Sequence, residues 1–228
     1  LRRRIASVIS PYSPLPASTT AHGRSRRVIS WATSANGVSG VLALFNCERT
    51  LVESYLERRI PIVLVKPLVR VQGAPFVATD HCAETQHATL SLVRRGHERI
   101  VYVAVDQHVE IPNVEHSEVA ANFVVEERVR GYRLAMREAG LEQNIYVHSV
   151  PVRFVPCLRR ARLYEALRET GATACCCFND DLAGRVYQTC REHRLSIPGD
   201  LSVIGHDDAD IARALQPGLT TIEAPLEE

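Results

Sequence analysis

The chain has 228 residues, enough for one large domain or two small lobes. Hydrophobic residues make up 46% and charged residues 23%, an ordinary globular balance, and a net charge of +1 excludes a strongly basic surface for nucleic acid. No apolar run approaches the roughly 18 residues of a membrane span, and Pro11 cuts the basic-then-apolar start (LRRRIASVIS) too early for a signal peptide.

In chain order, residues 5–9 read as a first strand, stopped by SPYSPLP. Residues 17–40 show no clean period, with 28–32 a candidate strand. Residues 41–45 form a short strand, and 48–59 a helix with Leu51, Val52, Tyr55 and Leu56 on one face. Strands at 62–65 and 77–79 follow, and Asp80 is placed to cap a helix over 83–95 that stops at Gly96. A strand at 100–105 leads into a long polar loop with His108 and His116. A helix at 125–139, a strand at 145–150 and a helix at 157–170 come next.

The stretch from 172 to 222 then organises the chain. Two apolar runs, 173–178 and 201–205, each end in polar tips, Asn179-Asp180-Asp181 and His206-Asp207-Asp208. An amphipathic segment, 182–193, lies between them, so the stretch is a βαβ unit with parallel strands. Ligands of open parallel sheets bind beyond the carboxyl ends of the strands, which is where both tips point. A helix at 208–215 and a strand at 219–223 close the chain, and the alternation of strand and helix predicts a doubly wound α/β fold.

The seven cysteines are odd in number and three are consecutive in an apolar run, so a reducing, cytosolic compartment is expected rather than a disulfide framework. No C-x-x-C pair occurs and the nine histidines show no ligand cluster, so no metal site is expected. G-x-S-x-G, G-x-G-x-x-G and P-loop motifs are absent, so neither serine hydrolase chemistry nor a nucleotide cofactor is expected.

Three blocks carry a family resemblance. The first is IPIVLV at 60–65 with Asp80 and RGHERIVYV at 95–103. The second is ERVRGY at 127–132 running to Ala139-Gly-Leu141. The third is FND at 178–180, IPGDLSVIGHDD at 197–208 and LTTI at 219–222. Together, over roughly residues 41–226, they resemble the effector-binding domain of LacI/GalR-type transcription regulators. The resemblance implies a two-lobed periplasmic-binding-protein-like fold, with parallel sheets flanked by helices and a sugar-like or related small effector in the inter-lobe cleft. It implies a first lobe at 1–82 with a return segment at 219–228, a second lobe at 83–218, and a homodimer. The family's helix-turn-helix, which would contact DNA, is not among these residues, so a fragment or truncated chain is expected. The segment 10–40 and the early C-terminus depart from the family, so the first lobe is expected to be incomplete.

Six residues are candidate ligand contacts. Asp207, at a strand tip, can accept bonds from vicinal hydroxyls and matches a ligand-contacting aspartate of the family; otherwise Asp207 or Asp208 caps the next helix. Asn179 offers an amide to a sugar hydroxyl or serves as a turn residue, with Asp180 or Asp181 as the helix cap. Arg128 matches a cleft arginine of the family whose planar fork bridges two oxygens; the alternative is a solvated helix arginine. Phe154 either stacks on a sugar face or anchors a helix, Lys66 either pairs with an anion or is solvated, and Asp80 is a cap first and a contact second. His97 is read as tethering a turn and His206, where the family often has Tyr or Phe, as structural.

The expectation is a non-enzymatic sensor without cofactor. The rivals are a periplasmic sugar-binding protein of a transporter, a metal-dependent α/β enzyme built on the four tip aspartates, and a regulator that has lost its ligand.

Overall fold

A computed structural model describes residues 4–8, 38–44, 49–67, 69–105, 123–150 and 156–223. The candidate strand at 28–32, the loop histidines and Phe154 lie outside them. The chain divides into two compact units, Leu1–Thr79 and Asp80–Glu228. Thr220–Glu223 pairs in parallel with Ser202–Asp207, so this strand joins the second unit's sheet rather than the first lobe.

The first unit carries a parallel sheet in the order β1 (Arg4–Val8), β2 (Val38–Leu44), β3 (Ile62–Val65), β4 (Phe76–Val77). Side chains alternate along β2: Val41 and Ala43 are buried and Leu42 is exposed. Helix α1 (Arg49–Glu57) buries Val52 and Tyr55, one turn apart, against Ile62 and Leu64 of β3.

The second unit holds helices α2 (His81–Val93), α3 (Phe123–Glu138), α4 (Pro156–Glu169), α5 (Asp180–Glu192) and α6 (Asp210–Ala214). Its strands are β5 (Ile100–Val105), β6 (Tyr146–Val150), β7 (Ala174–Cys177), β8 (Ser202–Asp207) and β9 (Thr220–Glu223). They form one parallel sheet in the order β6-β5-β7-β8-β9. The continuous apolar runs of β5 and β7 follow from burial on both faces. Val101, Val103, Cys175 and Cys177 pack against α4 and α5, whereas Ile100, Tyr102, Ala104, Ala174 and Cys176 pack against α2 and α3. The three consecutive cysteines therefore divide between two cores as small hydrophobes. Burial pushes the Cys176 thiol up to about 12.

Two contacts set the helices on the sheet. The Tyr132 hydroxyl donates to the Ile100 carbonyl at 2.7 Å and accepts from the Tyr146 amide at 3.0 Å, tying α3 to β5 and β6. At Gly131 the helices α2 and α3 meet so closely that a Cβ would lie 2.1 Å from the Cys82 carbonyl oxygen. This contact helps set the position of Arg128, one turn earlier on α3. Turn chemistry explains the IPGD block as well. Asp200 accepts from the Ser196 amide at 2.7 Å and from its hydroxyl at 2.5 Å, closing the turn before β8.

Candidate functional site

Parallel strands leave their carboxyl ends on one edge of the second sheet. There β7 runs into Phe178-Asn179 and β8 ends at Asp207. Helices α2 and α3 bring Glu84 and Arg128 to this edge.

Asp207 is the hub. Its Oδ1 accepts from Arg128 Nη2 at 3.1 Å and faces His206 Nδ1 at 3.0 Å. Burial alone would raise this carboxyl; the hydrogen bond from His206 and the Arg128 charge outweigh it and hold the group below the ordinary carboxylate value. Its side chain is still 42% exposed. The backbone at Asp207 and Asp208 has φ of 104° and 49°. Such conformations cost non-glycine residues about 1–3 kcal/mol and persist where surrounding structure imposes them.

Arg128 is almost wholly buried, its guanidinium 4.7 Å above the Phe178 ring and bonded through Nη1 to the Phe178 carbonyl. Its Nε has no hydrogen-bond partner among the described residues, and the same holds for the buried hydroxyls of Tyr102 and Thr85. A buried donor without an acceptor is costly, so this edge retains hydrogen-bonding capacity that the described residues do not use.

The tip aspartates behave differently from the expected capping. Asn179 itself caps α5, its Oδ1 accepting from the Leu182 amide at 2.9 Å. Asp180, 1% exposed, accepts from the Ala209 amide at 2.8 Å and the Thr221 hydroxyl at 2.6 Å, stitching β7, β8 and β9 together. Gly205 permits this, since a Cβ there would lie 2.1 Å from Asp180 Oδ1. Neither Asp207 nor Asp208 caps α6: Ala209 holds the cap position, and Asp208 pairs with Arg213 at 2.9 Å.

Of the other candidates, Asp80 caps α2 by accepting from the Ala83 amide at 3.0 Å. Lys66 lies in the first unit with φ of 50°, its amide donating to the Val77 carbonyl at 2.8 Å. Phe154 is outside the described residues. His97 does tether a turn, through Nδ1 to the Thr173 hydroxyl at 3.0 Å.

The expectation that no histidines cluster is corrected. His81 on α2 and His206 on β8 converge on Glu84, at 3.5 Å and 3.1 Å from its Oε2. Separation along the chain hid this group, since Glu84 and His206 are 122 residues apart.

Residues 89–228 match the periplasmic binding protein-like domain model, which is more than half of the chain. The chain belongs to this periplasmic-binding-protein-like family. The "HTH-type transcriptional repressor PurR" of Photobacterium profundum is 32% identical over 139 residues, covering 60% of this chain and 37% of the relative. A LacI-family regulatory protein from Chloroflexus aggregans superposes with a TM-score of 0.67 at 27% identity, covering 88% of this chain and 66% of that one. A LacI-family regulator from Enterococcus faecium with bound ribose gives a TM-score of 0.67 at 22% identity, covering 88% and 68%. The periplasmic-binding-protein-like chain spans about half the length of the curated relatives it matches. These relatives are transcription regulators, and the resemblance to the LacI/GalR-type effector-binding domain is borne out. No helix among the described residues is long and apolar enough to cross a membrane.

Proposed function

We propose that this chain is the sensor part of a LacI/GalR-type regulator and binds a small, hydroxyl-rich effector at the carboxyl edge of its second sheet. The observation that carries this reading is the Asp207–Arg128 pair: a half-exposed carboxylate held by a buried guanidinium whose Nε has no partner among the described residues. A sugar offers vicinal hydroxyls as donors to the free edge of Asp207 and oxygens as acceptors for Arg128. The ribose held by the Enterococcus faecium neighbour supports that ligand class.

Asn179 spends its Oδ1 on the helix cap, which leaves its amide nitrogen as the ligand donor. Asp80 is likewise committed through Oδ1. The effector acts by binding two conformations unequally, since equal affinity would shift no population. In the whole regulator that shift changes how a pair of subunits presents its DNA-binding parts, in the cytosol.

The test is a thermal-shift screen of sugars, sugar phosphates and nucleobases on the purified chain. One class is expected to raise the midpoint, and Asp207→Ala is expected to abolish the rise. An undiminished shift in that variant removes Asp207 from the site.

A further inference from the structure

We propose that His81, Glu84 and His206 form a binding site for a divalent transition metal ion such as zinc. Each of the three contributes one ligand atom, and these atoms lie within 4.8 Å of one another. His81 and Glu84 stand three residues apart in the first turn of α2, so one helix face presents both. His206 meets them from β8. Ligands of a tetrahedral zinc ion, bound at about 2.0–2.1 Å, lie about 3.3 Å apart. Glu84 Oε2 is 3.1 Å from His206 Nε2 and 3.5 Å from His81 Nδ1, which brackets that spacing. Only the two imidazoles have to close toward each other.

The surroundings of His206 point the same way. It faces a carboxylate oxygen at both nitrogens, Asp207 Oδ1 at 3.0 Å and Glu84 Oε2 at 3.1 Å. With a metal ion held by Nε2 and Glu84 Oε2, the ring's single N–H sits on Nδ1 and donates to Asp207. Asp207 then plays the outer carboxylate that orients a metal-bound imidazole.

The charges and the setting are consistent. The linked group sets the carboxylates of Asp207 and Glu84 beside His206, with Arg128 on Asp207. His81 and His206 are buried, at 7% and 3%, where a net charge is costly unless compensated. Two imidazoles and one carboxylate suit zinc, copper or nickel better than magnesium or calcium. Three protein ligands leave a fourth position for water or an oxygen of a small molecule. Because His206 bridges the ion and Asp207, metal binding reaches the proposed effector carboxylate through one hydrogen bond.

The experiment uses the purified, chelator-washed chain at neutral pH with no sugar present, so a failed effector screen leaves it readable. Zinc is titrated against a chromophoric competitor, and cobalt absorption reports the ligand set. The expected result is one equivalent of metal with a tetrahedral cobalt spectrum that lacks a thiolate charge-transfer band. Glu84→Gln, His81→Gln and His206→Gln are each expected to weaken zinc by more than about tenfold. Glu84→Gln is the variant least apt to disturb folding, since its side chain is 19% exposed, and circular dichroism checks each one. Absence of uptake, equal affinity in the folded Glu84→Gln protein, or a thiolate band that places the metal on cysteine overturns the proposal.

Discussion

Strands β7 and β8 lie side by side and both run into acidic or amide side chains, yet those side chains meet opposite fates. After β7, Asn179 closes the first turn of α5, and Asp180 disappears into the interior to hold Ala209 and Thr221. At the end of β8, Asp207 keeps 42% of its side chain in solvent while a buried arginine and a buried histidine hold it from behind. Polar groups whose acceptors are spent on amides and hydroxyls hold the fold together. One whose partners sit on a single side has a free edge for a ligand.

The largest effect that sharpens this contrast is expected at Asp180. Asp180→Ala removes the buried carboxylate that accepts from the Ala209 amide and the partly buried Thr221 hydroxyl and costs about 2 kcal/mol, read from urea unfolding. Gly205→Ala, whose new Cβ collides with Asp180 Oδ1, is expected to lose stability in the same experiment. Asn179→Ala follows, with a loss of about 1 kcal/mol from the missing cap; Asn179→Asp retains most of it. Asp207→Asn is expected to cost no more than about 1 kcal/mol, because the pair is partly solvent-screened and asparagine tolerates a positive φ. A loss at Asp207 as large as that at Asp180 breaks the comparison. The smallest effect concerns β7 itself. Cys175, Cys176 and Cys177 are buried, and burial raises all three thiols. Mass spectrometry after brief iodoacetamide treatment of the folded chain at mildly alkaline pH is expected to find them unmodified.

Much of the fold is legible in local pattern. Strands at Ile62–Val65 and Ile100–Val105 coincide with the apolar runs that predict them, because a buried parallel strand is a continuous run with polar ends. Helix ends followed from Asp80 and from Gly96, whose φ is 89°. The placement of Thr220–Glu223 did not, since nothing in LTTI says which sheet edge it will extend. Its partner is decided by β8 and by the Thr221 hydroxyl reaching Asp180.

Of the candidate site, Asp207 and Arg128 are brought together as a pair, one at a strand tip and the other from a helix. Assigning the caps failed at Asn179 and Asp180, because adjacent Asn and Asp residues have nearly equal capping chemistry. Only the backbone exit from β7 decides which side chain reaches the Leu182 amide and which turns inward.

From its residues alone, this chain determines an alternating α/β architecture, the polar edge of one parallel sheet and the family to which it belongs. Periodicity and capping act within a few residues, so one dimension records them. The tertiary structure decided which polar groups are spent and which are left. Arg128 meets Asp207 across 79 residues, and His206 meets Glu84 across 122. Those meetings depend on α2 and α3 seating together at Gly131 and on a sheet order that no local pattern encodes.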